Sequence, residues 1–175
     1  MSGLTPYLDH FNDISRESHD LYMSYDAAIR LEHDVRAQAS CTYCHMVSAA
    51  DRRFLDDANV IQKEIRGLKL WILRDQDVVV RFKKMDENGL NRNVGTTQQI
   101  NFDCGNELPG LPYPPVRLTV GYLLDPTGTM IERTQVARPA GKKSIDWCAA
   151  IVPSSDRTEF EDAWIDVTRQ TRAAF

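Results

Sequence analysis

The sequence predicts an α+β fold: N-terminal helices, then a curled antiparallel sheet of about five strands, then a C-terminal helix. Two observations carry most of that reading. No Gly or Pro interrupts residues 7–66, and apolar residues recur there at the three-four spacing of a helix. From residue 68 onward the pattern changes to β-rich or alternating runs joined by short polar turns, which favours antiparallel neighbours over βαβ units. The 175 residues (19.9 kDa) make one domain's worth of chain. Its parts are a helical front over 1–66, the sheet over 67–152 and a closing helix over 154–175.

In the front, Leu8, Phe11, Ile14 and Ser15 share one helix face, and Leu21, Tyr22, Tyr25, Ala28 and Ile29 continue it. A second stripe joins Ala37, Cys41, Cys44, Val47, Ala50 and Phe54. Breaks are expected near Glu17–His19, Glu32–Asp34 and Asp56–Asn59, and Gly67 ends the segment. Leu68–Leu73 and Val78–Phe82 around a polar linker read as a hairpin. Four prolines between Leu108 and Pro115 mark a loop. Val116–Tyr122 and Met130–Ala137 alternate as strands, with a type I turn at Asp125-Pro-Thr-Gly128 between them. Ser144–Cys148 begins a last strand. Ser155 is placed to cap a helix through Arg172, docked by Phe160, Trp164 and Val167.

Composition is that of an ordinary globular chain, 42% hydrophobic and 26% charged, which argues against disorder. No apolar run approaches the ~20 residues of a membrane span, so no membrane partner is expected. The start, Met-Ser-Gly-Leu-Thr-Pro, has neither a basic nor an apolar leader region, so a cytoplasmic location and reduced cysteines are expected. The net charge of −4 is unevenly spread. Residues 1–60 carry −5, residues 61–143 carry +4 and residues 144–175 carry −3. A basic middle is able to face a polyanion, or simply to neutralise the acidic helices beside it. The acidic front holds more apolar positions than one sheet would cover, which makes it the expected surface for a protein partner.

Cys41-Thr-Tyr-Cys44-His45 matches the C-x-x-C-H haem-attachment pattern, but lies within a helical stripe, and the expected cytoplasmic location disfavours haem attachment. A zinc site built on Cys41, Cys44 and His45 would need Cys104 or Cys148, which stand as isolated singles rather than a second close pair. Buried thiols are the favoured account of all four cysteines, and no cofactor is expected. Phosphate-cradling glycine loops and the G-x-S-x-G elbow are absent from the sequence.

Two functional readings remain. One is a metal-dependent nuclease using Glu64, Asp75, Asp77 and Lys83, an order of acids and lysine that suits Mg²⁺ chemistry. Arg81, however, occupies the position two before Lys83 where the metal wants a carboxylate. The other is a binding surface: Arg81, Lys83 and Lys84 around Phe82, with Arg92 nearby, would form a phosphate-contacting patch. Gln98 and Gln99 would add amides that read bases or a protein. A second surface would be the 106–115 loop with Leu108 and Leu111, unless those leucines pin the loop to the domain's own core.

Arg81-Phe-Lys-Lys-Met-Asp86, Asn91-Arg-Asn93, Thr97-Gln-Gln99 with Phe102, Leu108-Pro-Gly-Leu-Pro112 and Gly121-Tyr122 together resemble a widespread, uncharacterised bacterial protein group. The resemblance spans about residues 67–147. It implies one partner of a two-gene toxin–antitoxin-like or phage-defence operon, and carries no catalytic residues with it. Leu108–Pro112 also resembles the short peptides that dock on the bacterial sliding clamp, although Asn106 and Glu107 stand where such peptides usually begin with Gln. The expected function is therefore a non-enzymatic binding protein that occupies a protein or nucleic-acid target, with a cognate protein partner. The nuclease is the alternative.

Overall fold

A computed structural model describes residues 2–91, 95–111, 115–159 and 161–168. After a short 3-10 turn come the helices α1 (Thr5–Met23), α2 (Ala27–Glu32) and α3 (Val35–Arg53). Then follow β1 (Val60–Ile65), β2 (Leu68–Leu73), β3 (Val78–Lys84), α4 (Thr97–Asp103), β4 (Val116–Leu124), β5 (Ile131–Gly141), β6 (Ser144–Ile151) and β7 (Trp164–Asp166). The strands form one sheet in sequence order, β1 to β7, with both ends open. The fold is α+β as expected, but the sheet is not curled, and among the described residues it has seven strands where about five were read.

α1 begins with Pro6 in its first turn, where a missing N–H costs nothing. It buries Tyr7, Leu8, Phe11, Ile14 and Tyr22 along one face, and runs through the break expected near Glu17–His19. The Glu32–Asp34 break is real: the Asp34 carboxylate accepts from the Arg36 and Ala37 N–H groups and starts α3. On α3 the buried residues are Thr42, Met46, Ala49 and Ala50. The sheet-facing side is thus rotated from the predicted stripe. Cys44 and Cys104 are exposed and Cys41 is half-buried, so only Cys148 is the buried thiol expected of all four.

Val60–Ile65 was read as helix and is a strand. Its partner decides this: Arg66 (φ 47°) and Gly67 (φ 82°) make a left-handed two-residue turn that zips β1 onto the strongly β-forming β2. The hairpin of β2 and β3 is antiparallel, as predicted. β3 and β4, however, pair in parallel, because the chain crosses over through α4 instead of turning back.

The expected C-terminal helix is absent among the described residues. Ser154–Asp156 form a 3-10 turn and Trp164–Asp166 pair with β6 instead. Asp9 of α1 accepts from the Ser154 N–H (2.9 Å) and from Arg157 Nη2 (2.9 Å), anchoring this segment away from a helical path. Phe160 and residues 169–175, which include Arg172, lie outside the described residues. No helix among the described residues is long and apolar enough to cross a membrane.

The sheet is covered on both faces. Trp71, Val80, Phe82, Val120, Tyr122 and Val136 pack against Leu8, Phe11, Ile14, Met46 and Ala50 of α1 and α3. On the opposite face Leu68, Leu70 and Val79 meet Phe102 of α4 and Leu108.

Candidate functional site

The β2–β3 ladder has only three pairs, Leu73↔Val78, Ile72↔Val79 and Trp71↔Val80. From Arg81 onward β3 leaves β2 and keeps only β4 beside it, with Arg81↔Thr119, Lys83↔Gly121 and Lys84↔Tyr122 in register. The separation gives α3 access to the end of β3, where Lys83 Nζ stands 4.6 Å from the centroid of the Tyr43 ring. Gly121 makes the close β3–β4 approach possible: a Cβ there would lie 1.8 Å from the Lys83 carbonyl oxygen and 2.8 Å from Met85 Sδ.

Beside this point opens a groove of about 980 Å³ between the start of α3, the end of β3 and the β4–β5 turn. Val35, Tyr43, Lys83, Lys84, Gln99 and Asp125 are among its lining residues. Two of its acids are committed to turns. Asp125 accepts from the Thr127, Thr129 and Met130 N–H groups and from the Thr127 hydroxyl, whose bonds hold its pKa down at about 2. Asp86 accepts from the N–H groups of Asn88 and Leu90.

Lys83 is 7% exposed, and no carboxylate among the described residues comes within ion-pair distance of its ammonium. Burial first, and the Arg81 charge second, lower its pKa to about 8, against the weaker attraction of the Asp103 carboxylate, which lies beyond ion-pair distance. Arg81, 1% exposed, is held on three sides: Nη2 pairs with Asp103, Nε donates to Thr119 Oγ1 (3.0 Å), and the guanidinium carbon lies 4.4 Å from the Phe102 ring centroid. Its Nη1 is buried with no partner among the described residues. Burial opposes charge on both members of this pair, lowering Arg81 and raising Asp103, while their mutual attraction opposes each shift.

The predicted basic patch is therefore not a surface stripe. Arg81 is sealed into the sheet by Asp103, Lys83 and Lys84 reach the groove, and Arg92 lies outside the described residues. Gln98 and Gln99 sit on α4 rather than in a loop, and Gln99 Oε1 is buried with no donor among the described residues. Leu108 is 2% exposed and the partly buried Leu111 packs against the same cluster, so both help pin the loop to the core; Pro112, Tyr113 and Pro114 lie outside the described residues.

The nuclease set is dispersed. Asp77 precedes β3 and Lys83 is near its other end, roughly 20 Å along the strand at about 3.3 Å per residue. Asp75 accepts from the Tyr7 hydroxyl (2.9 Å), and Glu64 pairs with Lys69 (3.5 Å) on the β1–β2 hairpin. His45 Nε2 is 2.7 Å from the Tyr25 hydroxyl. Among the described residues no three His, Cys, Asp or Glu side chains stand close enough to share a metal ion, the Cys41–Cys44–His45 segment included.

Sequence reasoning missed Tyr43, Val35 and Asp103, and named Gly121 without its packing role. Tyr43 was hidden inside the cysteine motif, and its partner is 40 residues away in the chain. The one available signal for Asp103 was charge: a buried arginine on a strand needs a carboxylate from the element covering it. Comparison with protein-family models, with curated proteins and with solved structures gives no match.

Proposed function

We propose that this chain is a binding protein, without chemistry of its own, that acts by occupying a macromolecular target through the groove at the end of β3. The supporting observation is Lys83: a cation 7% exposed, in the groove wall, with no carboxylate at ion-pair distance among the described residues. Burying a charge without a carboxylate in direct contact is costly, Asp103 acting on it only from beyond ion-pair distance, and an anionic group entering the groove would offset that cost. Lys84, half-buried in the same wall, adds to the attraction. The toxin–antitoxin or phage-defence setting, with a cognate protein partner in a bacterial cytoplasm, rests on the resemblance of residues 67–147.

The experiment is inducible expression in a bacterial host, following growth and the incorporation of DNA, RNA and protein precursors. Arrest of one process by the natural chain, and its loss in a folded Lys83→Ala/Lys84→Ala variant, is the expected result for a toxin. Unaffected growth moves the chain to the antitoxin or accessory role, where partner capture must show the same lysine dependence. Equal behaviour of the double variant in both assays would sink the groove as the binding site. The nuclease alternative predicts instead that Asp77→Asn abolishes the effect, and the dispersion of its residues gives it no support.

A further inference from the structure

We propose that Lys83 is a site of acyl modification: its amine takes the acyl group of an acyl phosphate that enters the groove, and so loses the positive charge that the groove presents. The effect on binding rests on the reading above; the reactivity does not.

Acylation needs an amine that is neutral and within reach. Of the six lysines in the chain, Lys63 donates to the Gly110 carbonyl and Lys69 pairs with Glu64 (3.5 Å). Lys142 and Lys143 stand exposed on the turn between β5 and β6. Lys83 differs from all four. It is 7% exposed, has no carboxylate at ion-pair distance among the described residues, and feels the charge of the Arg81 guanidinium. Desolvation and a neighbouring cation are the two conditions that leave a lysine amine neutral and nucleophilic near neutral pH. The groups acting on it are Arg81 of its own strand and Asp103 of α4, with the Tyr43 ring of α3 beside it. Their balance, a pKa of about 8, leaves roughly a quarter of the amine neutral at pH 7.5, against about 0.1% for an ordinary lysine.

The amine is buried but not sealed. Lys83 and Tyr43 both line the groove, whose volume of about 980 Å³ has room for a small acyl donor. Lys83 Nζ has no hydrogen-bond partner among the described residues, and unlike the unpartnered Arg81 Nη1 it keeps contact with solvent. Lys84, half-buried in the same wall and without an ion pair among the described residues, is left to attract the donor's phosphate. The lone pair of Nζ attacks the acyl carbon, and the bond from that carbon to the bridging oxygen breaks. Phosphate leaves with the electron pair and takes up the proton that the nitrogen sheds. The product is an uncharged amide, and the cation–ring contact with Tyr43 is lost.

The test incubates the full chain with acetyl phosphate and follows each lysine by peptide mass spectrometry. At pH 7.5 Lys83 is expected to react at least about tenfold faster than the exposed Lys142 and Lys143, with a rate that levels off above about pH 8. In urea the preference is expected to vanish, because burial creates it. Equal rates at all lysines of the folded chain, an unmodified Lys83, or a preference that survives in urea would overturn the proposal. A folded Lys83→Gln variant, neutral like the product, is then run in the expression and capture assays above, where loss of effect is expected. Selective acetylation with Lys83→Gln fully active would keep the modification site and remove the groove as the binding site. Unselective acetylation with an inactive Lys83→Gln would do the reverse.

Discussion

Lys83 Nζ lies over the face of the Tyr43 ring, 4.6 Å from its centroid, and the ring is the partner the structure provides for a cation it has buried. A ring face compensates desolvation only partly. Lys83 therefore has a folded pKa of about 8 against about 10.4 in the unfolded chain.

The sign of the resulting pH dependence follows. Below pH 8 the amine is charged in both states, and the folded state carries the full cost of burying it. Above about 10.4 it is neutral in both, and the cost is gone. Stability should therefore rise between pH 8 and 10.4, by on the order of 3 kcal/mol if Lys83 acts alone. Urea unfolding across this window measures it. Lys83→Met should flatten the rise, and an unchanged slope would assign the titration to another group.

Asp103→Ala should be costly, about 3–5 kcal/mol, because it strands the Arg81 guanidinium in the sheet. Replacing both partners, Arg81→Met with Asp103→Leu, should cost less than Asp103→Ala alone. A double-mutant cycle read by denaturant unfolding tests this, and simple additivity would mean that the pair is not coupled.

Gly121→Ala should destabilise by about 3 kcal/mol, the upper end of the usual overpacking cost, since the methyl group meets the Lys83 backbone oxygen as well as the Met85 side chain, and the oxygen cannot simply move aside. The same change should disturb the groove, because it forces β3 away from β4 at Lys83. Amide exchange of the β3 and β4 N–H groups would report it; protection equal to that of the natural chain would show the close approach to be slack.

His19 is 2% exposed, with Nε2 buried and unpartnered among the described residues, and burial lowers its pKa below the ordinary 6.5. The unfolded chain therefore takes up the proton first. Stability is full above about pH 6.5 and declines as pH falls below it. His19→Gln should remove that decline over pH 5–7 in thermal unfolding curves, and a variant that keeps it would point to another group.

The helices of the front and the β2–β3 hairpin were legible in the residues because each is decided by neighbours in sequence, by three-four spacing and by β-branched runs; Gly67 was marked as the end of a helix, and pairing with β2 made it a hairpin turn instead. Val60–Ile65 and Trp164–Asp166 were not, because their own patterns are ambiguous and the strand each pairs with settles them. The candidate site was half legible. Lys83 and Gln99 were singled out, but Arg81 looked like their equal on a surface, and only α4 packing Asp103 against it turned it inward. Local sequence alone determined the helices of the front, the β2–β3 hairpin and the cations available to this protein. Which cation is sealed by a carboxylate, which rests on Tyr43, and where the groove opens were decided by tertiary structure, since desolvation depends on contacts between residues far apart in the chain.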